Sequence, residues 1–337
     1  MPLSDLRGLG AEVLPLSLHA QLTVIQSCQT KNGKPYYEIE LADGVDRQRL
    51  KIWSDTAAFA FCESAYPGCF CMMEGEFFAN EFGVNVNRPS LSYLPEDAVE
   101  AMMQGSPERA AKLDADWEFL CSVAHNMKEE RLRLLTTSCL TEHEDRWKRA
   151  AAARSFHHAR RGGLLEHTAQ MMRSAVALAP QYPEVWPDLL FCGVLFHDLG
   201  KCWENDYPAR GFVSEPCRLG EMLGHITIGV EVVNRFWNRL RDSHPAVFES
   251  TDPPSDALRE HVLHMIVSHH GQLDFGSPVT PRTPEAWMLH YIDNLDAKME
   301  MLRGSYEAEP EGGGDLFKAQ RPLSGYLVRP LRPGDHG

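Results

Sequence analysis

The chain has 337 residues, 43% of them hydrophobic, and 47 acidic against 33 basic side chains give a formal charge of −14. Its length exceeds that of an ordinary single domain, and its apolar share is ordinary for globular proteins with substantial cores, so two domains are expected. No run approaches the ~18 consecutive apolar residues of a membrane span. No N-terminal apolar segment is bracketed by positive charge. The nine cysteines are odd in number and contain no Cys-x-x-Cys pair, which argues against a disulfide framework or a cysteine zinc site and fits a reduced, cytoplasmic protein.

Residues 1–14 read as a leader. From about 19 to 30, Leu22, Val24 and Ile25 precede the turn signal Lys31-Asn32-Gly33-Lys34, after which Tyr37, Ile39 and Leu41 alternate with Tyr36, Glu38 and Glu40. A second turn falls at Asp43-Gly44. Leu50 and Ile52 then alternate with Arg49, Lys51 and Trp53, and a short apolar helix near 56–65 precedes strand-like runs at about 69–79 and 84–94. Five strands with a helix between the third and fourth match an OB-fold barrel over residues 15–96. If Tyr37, Ile39, Leu41, Leu50 and Ile52 fill the barrel, the opposite parity puts Tyr36, Arg49, Lys51 and Trp53 on the outer face that such folds use for oligonucleotides. The competing reading is a solvated face on which Glu38 and Glu40 pair with those cations. Residues 1–100 hold seven basic and fourteen acidic side chains, so phosphate binding from this module should be weak and salt-sensitive.

After the break at Leu94-Pro95-Glu96-Asp97 the chain reads as helical, with Leu113, Trp117, Leu120, Val123 and Ala124 spaced for one face. From 146 to 161, Arg146, Lys148, Arg149, Arg154, Arg160 and Arg161 occur without an acidic residue. Arg154, His157, His158 and Arg161 are the candidates for contacting substrate phosphate, against the alternative of a basic helix face balancing an acidic neighbour.

The most informative feature follows. His197-Asp198 stands in a Phe-His-Asp-Leu-Gly-Lys run that closes an apolar helix, with His167 before it and His225, His269, His270 and Asp293 after it. Each lies in a stretch of helical apolar periodicity, such as Leu189, Leu190, Val194 and Leu195 ahead of the pair, or Trp287, Leu289, Ile292 and Leu295 around Asp293. Imidazoles suit borderline cations, while a mixed nitrogen and oxygen set argues against a closed structural zinc site. Adjacent imidazole and carboxylate side chains allow one segment to serve two cations, with the two oxygens of Asp198 available as a bridge. Such a pair of ions lowers the pKa of water from near 16 to roughly 7 and stabilises attacking and leaving oxygens, which is chemistry for phosphate-ester hydrolysis. Fifteen histidines will form some clusters by chance, and His261, His264 and His290 are read as ordinary helix-face residues. Lys201, one turn beyond Asp198, is placed either to reach a nonbridging phosphate oxygen or to complement a helix end near Gly200.

His167 in Gly-Gly-Leu-Leu-Glu-His-Thr, His197-Asp198, and Asp293 in Ile-Asp-Asn-Leu-Asp-Ala-Lys-Met resemble the pattern of the HD-domain superfamily of metal-dependent phosphohydrolases. His225 with His269 or His270 resembles its two-metal branch. Phe-His-His-Ala-Arg-Arg-Gly-Gly, Ser-His-His-Gly-Gln-Leu-Asp-Phe-Gly-Ser-Pro and Leu-His-Tyr-Ile-Asp-Asn-Leu-Asp-Ala-Lys-Met look like the YhaM-type 3′-to-5′ exoribonucleases. That resemblance implies a multidomain α+β chain: a five-stranded OB-fold barrel, then an all-α HD-domain helical bundle at 97–308; the Glu-Pro-Glu-Gly-Gly-Gly run at 309–314 opens a Gly- and Pro-containing tail at 309–337. The resemblance also implies a catalytic role for Asp198 and Lys201, a divalent transition-metal pair (Mn, Co, Fe or Ni), the 3′ end of single-stranded RNA or DNA as partner, and a homo-oligomer. The alternatives are a nucleotide or cyclic-dinucleotide phosphohydrolase on the same site, and a nucleic-acid-binding regulator without activity.

Overall fold

The computed structural model describes residues 3–6, 9–44, 46–81, 83–152, 160–212, 214–249, 252–307, 315–319 and 323–331. They divide into two compact units, 1–110 with 208–214 and 111–207 with 215–337.

The first unit is built on a five-stranded antiparallel sheet of β1 (Leu14–Gln29), β2 (Pro35–Ala42), β3 (Arg47–Trp53), β4 (Phe70–Asn80) and β5 (Gly83–Tyr93), with helix α1 (Ala57–Ser64) between the third and fourth strands. Strand order is β3-β2-β1-β4-β5. The long β1 pairs with β4 through Leu14 to Gln21 and with β2 from Gln21 to Gln29, so a single strand serves both halves of the sheet. A register shift between Leu22 and Val24 changes the side-chain parity, which is why Leu18, Ala20 and Leu22 are buried while Val24 is exposed. This strand begins five residues before the apolar alternation does, because Leu14 to Ser17 are held by pairing with β4 rather than by a buried face of their own.

Ile39, Leu41, Leu50, Ile52, Cys69, Cys71, Met73 and Phe77 fill the core beneath the sheet, together with Leu3 and Leu6 from a short 3-10 turn at Leu3–Leu6. The expectation of a closed barrel is corrected. Among the described residues no hydrogen-bonded ladder joins β3 to β5, so the sheet stays open between its two edge strands.

Helix α2 (Glu96–Gln104) follows, and then the helices of the second unit: α3 (Pro107–His125), α4 (Glu130–Trp147), α5 (Gly163–Leu178), α6 (Pro187–Phe196) and α7 (Lys201–Glu204). A two-residue ladder of β6 (Asn205–Asp206) and β7 (Glu215–Pro216) leads to α8 (Arg218–Ser243), α9 (Pro245–Phe248), α10 (Ser255–Ser268) and α11 (Pro284–Glu307). Trp117, Leu120 and Ala124 of α3 enter the same core as Leu190 and Val194 of α6, Phe236 and Trp237 of α8, and Met265 and Ile266 of α10. Helix α6 is apolar nearly all round and buried on every side, as that composition requires. Beyond α11, β8 (Leu316–Lys318) and β9 (Tyr326–Val328) form a hairpin, and the Tyr306 hydroxyl donates to Val328 O at 3.2 Å.

No described helix is long and apolar enough to cross a membrane. All nine cysteines are free thiols.

Candidate metal centre

His197 and His269 are placed by the same local device. Each is the first residue past the end of an apolar helix, α6 and α10, where the last carbonyls lack partners within the helix. His197 Nδ1 donates to Val194 O at 2.9 Å, and His269 Nδ1 donates to Ile266 O at 2.7 Å. Each ring thereby satisfies its own helix end, and each leaves Nε2 as a lone pair aimed away from that helix. His290, one turn before Asp293 on α11, donates from Nδ1 to the carbonyl of His269 at 2.9 Å. Its ring lies against Gly271, where an added Cβ would stand 2.3 Å from it.

The other two histidines are aimed by carboxylates. His167, in the interior of α5, holds Asp296 Oδ2 with Nδ1 at 2.7 Å. His225 holds Glu204 Oε1 with Nδ1 at 3.3 Å. It directly follows Gly224, whose φ of +68° breaks α8, so that His225 opens a fresh helical segment facing α7.

Four imidazoles therefore present Nε2 to one small volume, and two groups form around Asp198. His167, His197 and Asp293 make the first, and His225, His269 and His270 the second, with ligand atoms in each group all within 4.8 Å of one another. Asp198 Oδ2 lies 3.3 Å from His197 Nε2 and 3.8 Å from His167 Nε2. Its Oδ1 lies 3.5 Å from His225 Nε2 and 3.6 Å from His269 Nε2. One carboxylate thus turns one oxygen to each group.

The residues fit cations. Asp198 Oδ1, His225 Nε2, His269 Nε2 and His270 Nδ1 are buried atoms without a hydrogen-bond partner among the described residues, and leaving such groups unsatisfied is costly. His167 Nε2 and His197 Nε2 face each other at 3.3 Å with Asp293 Oδ1 at 3.4 Å from the former. Burial pushes the pKa of His167 down, but hydrogen bonds to Asp293 and Asp296 outweigh it and carry it up to about 9. Burial raises the pKa of Asp198, yet Lys201 and the surrounding imidazoles hold it well below the usual carboxylate range. Asp293 is likewise held low against its burial by His167 and His197. Burial keeps His269 and His270 neutral, the form that ligates metal. Both adjacent histidines of the Ser-His-His-Gly segment therefore belong to the second group.

Lys201 donates from Nζ to Asp198 Oδ2 at 2.7 Å and also to Ala152 O. Gly200 is not a left-handed helix stop. Its φ is −59°, and what requires glycine is the approach of α8, since a Cβ would lie 1.8 Å from His225 O. Much of the basic run serves the fold: Arg146 donates to Cys202 O and covers Trp203, Lys148 pairs with Glu144, and Arg160 binds Glu166 and Glu300. Arg161 is half-buried, and Arg154, His157 and His158 lie outside the described residues. Trp287 and Leu295, counted among the apolar positions around Asp293, point away from it and are 44% and 53% exposed, because at 100° per residue they fall on the far side of α11. His264 accepts from Arg282 N at 2.9 Å and is structural.

On the first unit, Tyr36 and Trp53 are direct cross-strand partners with ring centroids 5.1 Å apart. Lys51 lies over Tyr36 and Lys34 over Trp53. Arg49 pairs with Glu40 at 2.9 Å, and Lys34 with Asp55 at 2.9 Å.

Asp296 and Glu204 were not among the sequence candidates. Asp296 had a legible signal, since it follows Asp293 by three residues on one helical face; Glu204 had none. Asp296→Asn should weaken Mn affinity about 10- to 100-fold at the first group, and Glu204→Gln should do so at the second, as is usual when a carboxylate behind a ligating histidine is lost. Calorimetric titration of each variant separates the two effects. Unaltered isotherms would mean that neither carboxylate orients its imidazole.

Residues 164–298, which contain all seven of these side chains, match the family model described as HD domain. Over those residues the chain is similar to HD domains, a family of metal-dependent hydrolases.

Proposed function

We propose that the protein is a metal-dependent phosphodiesterase that shortens single-stranded RNA, and DNA of the same form, from the 3′ end to nucleoside monophosphates. The observation that carries the hydrolytic reading is Asp198, ionised and buried, with one oxygen toward each of two imidazole groups. A divalent cation held by such residues supplies Lewis acidity and an ionised water near neutral pH. The chain's own part is to hold and orient. Lys201 has a third N–H beyond those given to Asp198 and Ala152, available for a nonbridging phosphate oxygen where negative charge develops. The 3′-end and polynucleotide parts of the proposal rest on likeness to the YhaM-type enzymes and on the paired Tyr36 and Trp53 rings of the first unit.

Those rings form a surface on which a base can stack without sequence choice, a contact worth roughly 1–3 kcal/mol. Trp53→Ala should therefore weaken oligonucleotide binding about 5- to 100-fold in anisotropy titrations. Equal binding by the variant and the parent would leave the face as solvated surface.

A second reading, hydrolysis of mononucleotides or cyclic dinucleotides, draws on the ion pairs of Arg49 with Glu40 and of Lys34 with Asp55, which use up cations that a strand's phosphates would need. Incubating the Mn-loaded protein with 3′-labelled and 5′-labelled oligonucleotides, dNTPs and cyclic dinucleotides decides the matter. Prompt release of label from the 3′-labelled strand alone supports the exonuclease. Cleavage of small substrates alone supports the second reading, and strand retention without hydrolysis supports a regulator.

A further inference from the structure

The loop that follows His269 and His270 is closely constrained and yet exposes apolar side chains. Gly271 and Gly276, with φ of +78° and +83°, bracket a short 3-10 turn at Leu273–Phe275. Ser277 closes it: its N–H donates to Gln272 O at 3.2 Å, and its hydroxyl donates to Val267 O at 3.1 Å and Val279 O at 2.9 Å. The loop folds back so that a Cβ on Gly276 would stand 3.9 Å from His270 Nδ1. On it Leu273 is 63% and Phe275 60% exposed. On the helical turn before Gly224 and His225, Met222 and Leu223 are exposed as well, and the His225 and His270 rings lie 5.3 Å apart. Apolar side chains thus flank the second imidazole group from two separate elements.

A loop closed by these hydrogen bonds that still leaves a phenyl ring in water forgoes about 2 kcal/mol or more that burial would contribute. Its charge narrows what the ring is for. Between Gly271 and Ser277 the loop carries no cation to hold a phosphate and one exposed carboxylate, Asp274, so what it offers a nucleotide is the uncharged, flat ring of Phe275. We infer that Phe275, supported by Leu273, is a stacking subsite for the nucleobase next to the scissile phosphate, beside the His225, His269 and His270 group. This rests on the phosphodiesterase reading above and adds to it a base requirement at the reacting end.

Hydrolysis of one strand with an ordinary 3′-terminal nucleotide, and of the same strand with an abasic 3′ terminus, tests it in the parent, Phe275→Ala and Phe275→Trp. Phe275→Ala should raise KM for the ordinary strand about 5- to 100-fold with a much smaller change in kcat, and should leave KM for the abasic strand where the parent has it. Phe275→Trp should restore the ordinary KM. An unchanged KM in Phe275→Ala, an equal rise on both strands, or no rescue by Trp overturns the subsite. Calorimetry of Mn-loaded protein with adenosine 5′-monophosphate and ribose 5-phosphate reads the same base preference without turnover. Preference for the nucleotide that Phe275→Ala abolishes, in a protein that cleaves no strand, upholds the subsite and sinks the exonuclease. Equal affinity for the two ligands sinks the subsite.

Discussion

Asp198→Ala should lower hydrolysis of a single-stranded oligonucleotide at least about 1,000-fold, the scale set by losing an electrostatic element that acts on the transition state. Its carboxylate stands within 4 Å of ligand nitrogens in both groups, at 3.3 Å from His197, 3.5 Å from His225 and 3.6 Å from His269. Removing it opens both groups at once and leaves the Lys201 ammonium without its carboxylate partner. Bound metal measured by mass spectrometry should fall together with turnover. Oligonucleotide affinity should stay within about threefold, because the rings of Tyr36 and Trp53 are untouched. Turnover near the parental value would remove Asp198 from the bridging role.

Gly200→Ala should be nearly as damaging, through a different cause. The added methyl would lie 1.8 Å from His225 O and 2.7 Å from Gly229 N, so backbone meets backbone and no side chain can turn aside. Overpacking of flexible cores costs about 1–3 kcal/mol, and this contact belongs at or above the upper end. A loss of about 3 kcal/mol corresponds to a Tm lower by roughly 6–12 °C. Because α8 must withdraw, His225 leaves the second group, and Mn stoichiometry should drop even in protein that remains folded. Gly304→Ala on α11 is the control. Nothing lies within 4 Å of its Cβ position, and a helical glycine replaced by alanine should gain about 1 kcal/mol. Equal thermal stability of Gly200→Ala and the parent would show that α7 and α8 can separate freely.

The strands were legible because burial leaves a period-two trace: Ile39, Leu41, Leu50 and Ile52 are buried as their alternation requires. Whether the sheet closes was not legible, since pairing of β3 with β5 depends on backbone curvature that no side-chain pattern records. The side chains that gather in the two groups could be picked out by residue type and spacing, which places them on separate helices. What orients them was largely hidden. Val194 and Ile266 act through carbonyls, which every residue has, and Glu204 is one carboxylate among many until the fold brings it to His225. The two aromatic residues of the first unit were placed by strand parity, and pairing of Glu40 with a strand cation was the competing reading of that face; the register selects Arg49 as its partner.

The self-capping of α6 and α10 by His197 and His269 has a bearing on how the ion is kept. Both rings are fixed by their own helices, and His167 is fixed by Asp296. A divalent ion held there would therefore not have to order the chain as it bound, in contrast to zinc fingers that unfold when stripped.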